Sequence, residues 1–310
     1  MNKIVAAVLA GVMAVSGFNG KAYAMPVDTI DEYWGKPVIV YGGGLSDVDL
    51  ENTYNLFNVG NRDNVNEMRV YGQDLDRYLN FVGGDTSSLI SSVMVKKTSS
   101  NGVQVNILTP QNITKITQQQ YANAAITAGV YNCEIEVASI TRVTGESALT
   151  GVYKAFEANG ETLDLERTAV AQEELETTNQ IALENEGNGG FDSTTLDAAM
   201  AEIKKELAEA KKENGSVDDQ TIINIVTNVI NNYNLGSILS QENVNRIISL
   251  MSKYVDTSAI DSKEVLEQLK KLSKSLHIDV DAIVRDAQES GLWADIVRFF
   301  TNLWNSVVNR

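Results

Sequence analysis

Hydrophobic and polar positions divide the chain into two parts with different periods. Between residues 36 and 140, short β-rich runs alternate with short amphipathic patterns of helical period, which is typical of a small mixed sheet with helices on one face. The predicted strands are 38–41, 67–71, 88–97, 103–108 and a segment at Cys133, and the predicted helices are one that follows Ser46, 74–79 and 118–128.

The strands at 88–97 and 103–108 are predicted to pair directly as a hairpin. The connection between them ends in Asn101-Gly102, a dipeptide that suits the left-handed backbone of tight hairpin turns. These two strands are therefore expected to be neighbours in the sheet.

Helical periodicity replaces the strand pattern from about Ser147 onward. The sequence therefore predicts an α+β fold, with an N-terminal small mixed β-sheet with helices, followed by a C-terminal all-α helical bundle. The predicted helices cover 148–159 and 163–183 and then begin near Ser193, Ser216, Ser240, Asp261 and Asp279, each behind a residue that can cap it.

A glycine-rich stretch that begins at Glu184 is the clearest linker in the chain. It follows the predicted α/β domain with its trailing helices and precedes the predicted helical domain. The predicted segments are a signal peptide at 1–24, an N-terminal lead at 25–35, an α/β domain with trailing helices at 36–183, the linker at 184–192 and a helical domain at 193–310.

The first 24 residues predict a secretory signal peptide. Lys3 precedes an apolar run at 4–18 that is shorter than a membrane-spanning helix, and Ala22-Tyr23-Ala24 supplies the small residues that signal peptidase accepts. The leader is therefore expected to be cleaved near Ala24, which makes the working chain a secreted or extracytoplasmic protein.

The chain is strongly acidic, with a formal net charge of −16 that becomes −18 once the leader and its two lysines are removed. Such a surface repels nucleic-acid backbones and anionic headgroups and attracts cations or basic partners. No nucleic-acid partner is expected. The same charge also serves solubility, which is the simpler interpretation.

Residues that carry catalytic or metal chemistry are scarce. His277 is the one histidine, which excludes metal sites built on two histidines, and Cys133 is the one cysteine, which excludes an intramolecular disulfide. Cys133 alternates with apolar residues and is expected to be a buried structural thiol. No metal, cofactor or catalytic residue is predicted, although paired carboxylates stay open because spacing in sequence does not fix spacing in space.

The segment from Val143 to Gly151 is the best candidate for a binding site, because glycine, acid and hydroxyl groups meet where a strand passes into a helix. Capping of that helix by its own hydroxyls is the competing interpretation. The candidate binding residues are Thr144, Gly145, Glu146, Ser147 and Thr150.

The C-terminal stretch 292–310 has an apolar stripe at helical spacing that includes Trp293, Phe300 and Trp304. These three residues are candidates for contact with a membrane or a partner. An interfacial helix usually carries more lysine and arginine on its polar face, so closure of the helical bundle is the alternative interpretation.

Three segments together resemble one known family. They are 112–117 (Asn-Ile-Thr-Lys-Ile-Thr), 121–130 (Tyr-Ala-Asn-Ala-Ala-Ile-Thr-Ala-Gly-Val) and 144–157, which begins Thr-Gly-Glu-Ser-Ala-Leu-Thr-Gly. They are similar to the domain-of-unknown-function family 1002, exported proteins of Firmicutes, with the strongest match at about 38–182. The turn Gly43-Gly44-Leu45-Ser46 departs from the Gly-Ala-Asp-Leu-Thr-like turn of many members. The resemblance implies export from a Gram-positive bacterium and names no catalytic residue.

These observations favour a non-enzymatic extracytoplasmic protein that binds an unidentified component of the cell envelope or a partner protein. One alternative is a carboxylate-dependent hydrolase of an envelope polymer. A second is a peripheral membrane protein that uses the C-terminal amphipathic helix.

Overall fold

The computed structural model of the protein describes residues 33–79 and 83–276. The predicted leader at 1–24, His277 and the apolar stripe with Trp293, Phe300 and Trp304 lie outside the described residues. Within the described ranges, no helix is both long enough and apolar enough to cross a membrane.

Five strands form one mixed sheet in the N-terminal part, as predicted. Their order across the sheet is β2-β1-β3-β5-β4; β1 and β2 are parallel, β4 and β5 are parallel, and β3 is antiparallel to both of its neighbours. The strands are β1 (Val38–Gly42), β2 (Asn66–Val70), β3 (Ser92–Lys97), β4 (Val103–Ile107) and β5 (Cys133–Ala138).

The predicted hairpin is wrong, because β5 lies between β3 and β4. The connection does turn at Asn101 and Gly102, which both have left-handed backbone. However, Asn132 enters the turn, where the Thr98 N–H donates to the Asn132 carbonyl at 2.8 Å and the Cys133 N–H donates to the Gly102 carbonyl at 3.1 Å. The dipeptide therefore fixes the local turn but not the strand pairing.

Nine helices are present in the described part of the chain. They are α1 (Asp47–Leu56), α2 (Gly72–Leu79), α3 (Gln118–Ala128), α4 (Ser147–Ala158), α5 (Leu165–Asn185), α6 (Ser193–Asn214), α7 (Asp219–Asn232), α8 (Gln241–Asp256) and α9 (Lys263–Ser275). The α+β fold class is confirmed, with a mixed sheet first and a helical part after it.

Capping side chains set most of the helix starts. Ser46 caps α1 as predicted, because its hydroxyl accepts a hydrogen bond from a first-turn N–H. The starts predicted at Ser216 and Asp261 are displaced, since Asp218 caps α7 and Ser262 caps α9. The sequence therefore predicts that these segments are helices, but it predicts their first residues less accurately.

Alternate residues of β1 divide the sheet into two packed faces. Val38 and Val40 face a large core with α3 and α4. Ile39 and Tyr41 face a smaller core to which the residues of and after α1 contribute, among them Phe57. Helices therefore cover both faces of the sheet, not one face as the sequence suggested.

Helices α5 and α9 connect the sheet region to the helical bundle. Leu175 of α5 packs in the core around the sheet, and Ile181 of the same helix packs in the core formed by α6, α7 and α8. In α9, Leu269 belongs to the first core and Leu266 to the second. Both helices thus carry apolar contacts across the two parts of the fold.

Candidate functional site

The segment that leads into α4 is fixed to the sheet region by backbone pairing. Ile113 and Val143 form an isolated parallel bridge. The Thr114 N–H donates to the Val143 carbonyl at 3.0 Å, and the Val143 N–H donates to the Asn112 carbonyl at 2.8 Å. The residues between this bridge and α4 therefore have a defined position.

Gly145 is required by its surroundings as well as by its backbone. Its φ is +103°, a conformation that residues with a Cβ rarely adopt. A Cβ at this position would lie 2.5 Å from Tyr121 Oη and 2.8 Å from Ile113 Cγ2. The Tyr121 hydroxyl donates to the Gly145 carbonyl at 2.5 Å, and burial raises the pKa of Tyr121, which keeps this donor protonated.

The competing interpretation, that Thr144 or Ser147 caps the helix, is wrong. Glu146 occupies the cap position of α4 and no side chain makes a capping hydrogen bond there. Ser147 is the first helical residue, and its hydroxyl shares a 2.7 Å hydrogen bond with the Ser91 hydroxyl. The Thr144 hydroxyl donates to the Glu146 carboxylate at 3.4 Å. These polar residues need another explanation.

All five candidate residues line one cavity of about 350 Å³, which we name the α4 cavity. The structure thus brings Thr144, Gly145, Glu146, Ser147 and Thr150 together, although their binding role stays a prediction. The adjacent Val143 also lines it, and the rest of the lining comes from distant parts of the chain, namely Leu75, Leu79, Ser88, Leu89, Gln172 and Glu176.

Two polar atoms at the α4 cavity are buried without a hydrogen-bond partner, namely Thr150 Oγ1 and Gln172 Oε1. Thr150 is 1% exposed and Gln172 is 7% exposed. A helical threonine normally donates to the carbonyl four residues earlier, as Thr53 does to Asp49 at 2.8 Å. Leaving such a group unpaired costs about 1–3 kcal/mol, and these two groups belong to residues that line the same cavity.

Sequence reasoning missed Gln172 and Glu176. Both belong to α5, more than twenty residues beyond the candidate segment, and the Gln172 amide nitrogen donates to Glu176 Oε1 at 2.8 Å. The available signal was a polar residue at position 172 between buried Ala171 and Leu175. Whether this polar residue lines a cavity depends on which elements pack against α5, and the sequence does not show that packing.

Side-chain contacts hold α2, α4 and α5 together around the α4 cavity. Lys154 of α4 pairs with Asp74 of α2 at 2.6 Å. The Tyr78 hydroxyl of α2 donates to Glu157 of α4 at 2.5 Å, and the Thr168 hydroxyl of α5 donates to the Tyr78 carbonyl at 2.7 Å. The walls are thus braced against each other, and the cavity is preformed.

A second polar cluster lies between α3, α5 and α6 and is shielded from solvent. Lys204 Nζ contacts Glu174 Oε1 at 2.6 Å and donates to the Asn123 carbonyl at 3.0 Å, while the Thr127 hydroxyl donates to Glu174 Oε2 at 2.6 Å. Asp197 lies near the start of α3, where it accepts from the Thr117 hydroxyl at 2.7 Å. This cluster joins the helices and is closed to a ligand.

Cys133 and possible metal ligands were the remaining candidates for chemical activity. Cys133 is fully buried, and burial raises the pKa of its thiol to about 12, as expected of an inert thiol. Within residues 33–79 and 83–276, no cluster of three or more His, Cys, Asp or Glu side chains could hold a metal ion.

The fold and the site define an α+β protein in which a mixed five-stranded sheet is joined to a helical part, with a polar cavity beside the sheet. The chain belongs to the family described as Protein of unknown function (DUF1002), whose profile matches residues 41–272. The match therefore continues beyond the 38–182 region of strongest resemblance and through most of the helical part.

The relative "Uncharacterized protein YpuA" of Bacillus subtilis (strain 168) is 27% identical over 290 residues, which cover 91% of this chain and 92% of the relative. No solved structure matches the chain.

Proposed function

We propose that the protein is exported and acts outside the cytoplasm as a non-enzymatic binding protein of the cell envelope, with the α4 cavity as its ligand site. The observation that carries this proposal is the pair of buried, unpartnered atoms Thr150 Oγ1 and Gln172 Oε1 at a preformed cavity. A ligand that hydrogen-bonds to both atoms would recover the free energy that their burial costs.

Export is supported by the sequence of the leader. The leader has a charged start, an apolar run and Ala22-Tyr23-Ala24 in the required order. Similarity to a Bacillus subtilis protein fits a Gram-positive source, in which an exported protein meets the cell wall directly.

Binding explains the cavity better than polymer hydrolysis does. Glu146 and Glu176 line the same cavity, so a carboxylate pair is geometrically available. Glycoside hydrolysis also needs one carboxyl group that burial keeps protonated as the general acid. Glu176 is exposed and Glu146 is only half-buried. The pair therefore suits recognition of a ligand more than acid catalysis.

The test is a pull-down from a Bacillus subtilis envelope fraction with three forms of the purified protein. Thr150→Val removes the unpartnered hydroxyl of α4 at the α4 cavity. Thr178→Val is the control, because it removes a buried, unpartnered hydroxyl of α5 that does not line this cavity. We expect the wild type and Thr178→Val to enrich the same component and Thr150→Val to lose it. Equal enrichment by all three forms, or enrichment of nothing, would contradict the proposal.

A matched stability measurement accompanies the pull-down. Replacement of a buried, unpaired hydroxyl by a methyl group is expected to raise the free energy of unfolding by about 1 kcal/mol in both variants. Thr150→Val should therefore be more stable and bind less, which a purely structural threonine would not show.

A further inference from the structure

A larger cavity of about 610 Å³ lies next to the α4 cavity along α5. The two cavities share Leu79, Gln172 and Glu176. We name the joined space the α5 groove, because one side of α5 forms its floor. The α5 residues that line it are Glu166, Ala169, Val170, Gln172, Glu173 and Glu176, which recur at helical spacing.

The α5 groove is strongly acidic. Five carboxylates line it, from Glu146, Glu166, Glu173, Glu176 and Asp256. The one cation in the lining, Lys253, contacts Glu173 at 2.6 Å. In the part of the chain that the structure describes, the other four carboxylates make no ion pair, so the lining keeps a net negative charge that attracts cations.

Two unpartnered side-chain oxygens in the groove can accept hydrogen bonds. Gln172 uses its amide nitrogen toward Glu176, which leaves Oε1 to accept a hydrogen bond. The Thr150 hydroxyl can also accept. Both side chains are more than nine-tenths buried. Their unpartnered oxygens are evidence for a ligand that is separate from the charge of the acidic residues. A ligand that donates hydrogen bonds would suit both oxygens and the acidic lining.

We propose that the α5 groove binds a basic peptide segment and receives a lysine ammonium or an arginine guanidinium in the α4 cavity. This inference rests on the proposed function and names the chemistry of its ligand. Ammonium and guanidinium groups combine positive charge with several donors and no acceptor. Leu75, Leu79 and Val170 line the groove beside the carboxylates and suit the aliphatic stem of such a side chain.

The length of the groove favours a peptide over a single small amine. Glu166 and Glu176 are ten residues apart on one helix, which corresponds to about 15 Å along its axis. One lysine side chain does not span that distance, whereas an extended segment with two or three cations does. Glu173 lies on the same helix between Glu166 and Glu176.

Fluorescence anisotropy with the purified protein tests the proposal. The probe is a fluorescein-labelled twelve-residue peptide with three lysines among glycine, alanine and leucine, and the matched probe carries Nε-acetyl-lysine at the same positions. We expect the lysine peptide to bind and the acetylated peptide to bind about tenfold more weakly or not at all, because acetylation removes the charge. Equal binding of both peptides, or no binding of either, would overturn the proposal.

Variants of the protein locate the binding. Thr150→Val and Glu176→Gln are each expected to weaken binding of the lysine peptide at least threefold, while Glu213→Gln, an exposed acid in the last turn of α6, leaves it unchanged. Equal weakening by Glu213→Gln would show that the peptide follows the net charge and not the groove, which also overturns the proposal.

The failure of this inference is distinguishable from failure of the proposed function. If the peptide does not bind but an envelope component is still captured in a Thr150-dependent way, then the groove binds a ligand of another chemistry. If nothing is captured from the envelope in that way, then the binding function itself fails.

Discussion

Lys204 Nζ lies 2.6 Å from Glu174 Oε1, and both side chains are almost fully buried where α3, α5 and α6 meet. The ammonium also donates to the Asn123 carbonyl and to the Thr127 hydroxyl, so its three donors all have partners. Burial lowers the pKa of Lys204, and Glu174 opposes that shift. The pair joins α5 to α6, and the hydrogen bonds of Lys204 to Asn123 and Thr127 add α3.

Removal of one member of this pair should destabilise the protein strongly. Lys204→Met leaves the Glu174 carboxylate buried without its cation, and we expect the free energy of unfolding to fall by about 3–5 kcal/mol. Urea unfolding followed by circular dichroism measures the change.

The double variant Lys204→Met, Glu174→Leu separates the charge effect from packing. It should lose less than the sum of the two single variants, because neither charge is left alone. Additive losses would show that the two side chains are not coupled.

Asp197 predicts a stability that depends on pH. Burial raises the pKa of its carboxyl group to about 7, and Asp192 and Glu174 contribute to the rise. The folded state therefore binds the proton more tightly than the unfolded chain does, whose aspartate has a pKa of about 4. The contribution of Asp197 to stability falls as the pH rises from about 4 to 7 and stays low above that range.

Asp197→Asn removes this titration while keeping an oxygen that the Thr117 hydroxyl can approach. We expect the free energy of unfolding of the variant, relative to the wild type, to increase by about 2.5 kcal/mol from pH 5 to pH 8, measured by urea unfolding at both values. Glu213→Gln, at an exposed position of α6, is the control and should show no such trend. A difference between Asp197→Asn and wild type that does not change with pH would contradict the prediction.

Gly145 offers a test of the geometry at the α4 cavity. Gly145→Ala adds backbone strain and places a methyl group against Tyr121 and Ile113, and we expect a loss of about 2–4 kcal/mol in the free energy of unfolding. Gly160→Ala is the matched control, since Gly160 also has positive φ but open space around it, and it should cost about 1 kcal/mol. Equal losses would mean that contacts at Gly145 do not matter.

Export predicts a defined mature terminus. Full-length protein expressed in Bacillus subtilis should be recovered outside the cytoplasm with a chain that begins at about Met25, because signal peptidase cleaves after the small residue Ala24. Intact mass and N-terminal sequencing of each fraction measure this. Uncleaved chain confined to the cytoplasm would be the contrary result.

Local signals in the sequence were sufficient to predict the individual strands and helices but not to predict which strands pair. The Ser46 cap and the β1 strand depend on residues close in the chain, and both are present. The strand order is not local, because β5, some thirty residues further along the chain, lies between β3 and β4 and Asn132 bonds to the turn that joins them. Pattern alone cannot show such an insertion.

The candidate site shows the same division. The turn at Gly145 and its polar neighbours were visible in the sequence and do meet at one cavity. Gln172 and Glu176 complete the lining from α5, and their position there depends on how α5 packs beside α2. Part of the lining of the α4 cavity can thus be predicted from a loop, while the rest requires the fold.

Site-specific photo-crosslinking in living cells tests the central claim most directly. A photoreactive amino acid at Glu176, on the exposed side of the α4 cavity, is compared with the same group at Val48, an exposed position of α1. We predict a light-dependent adduct with one envelope component from position 176 and none from position 48. Adducts of equal yield from both positions, or no adduct from position 176, would contradict the account.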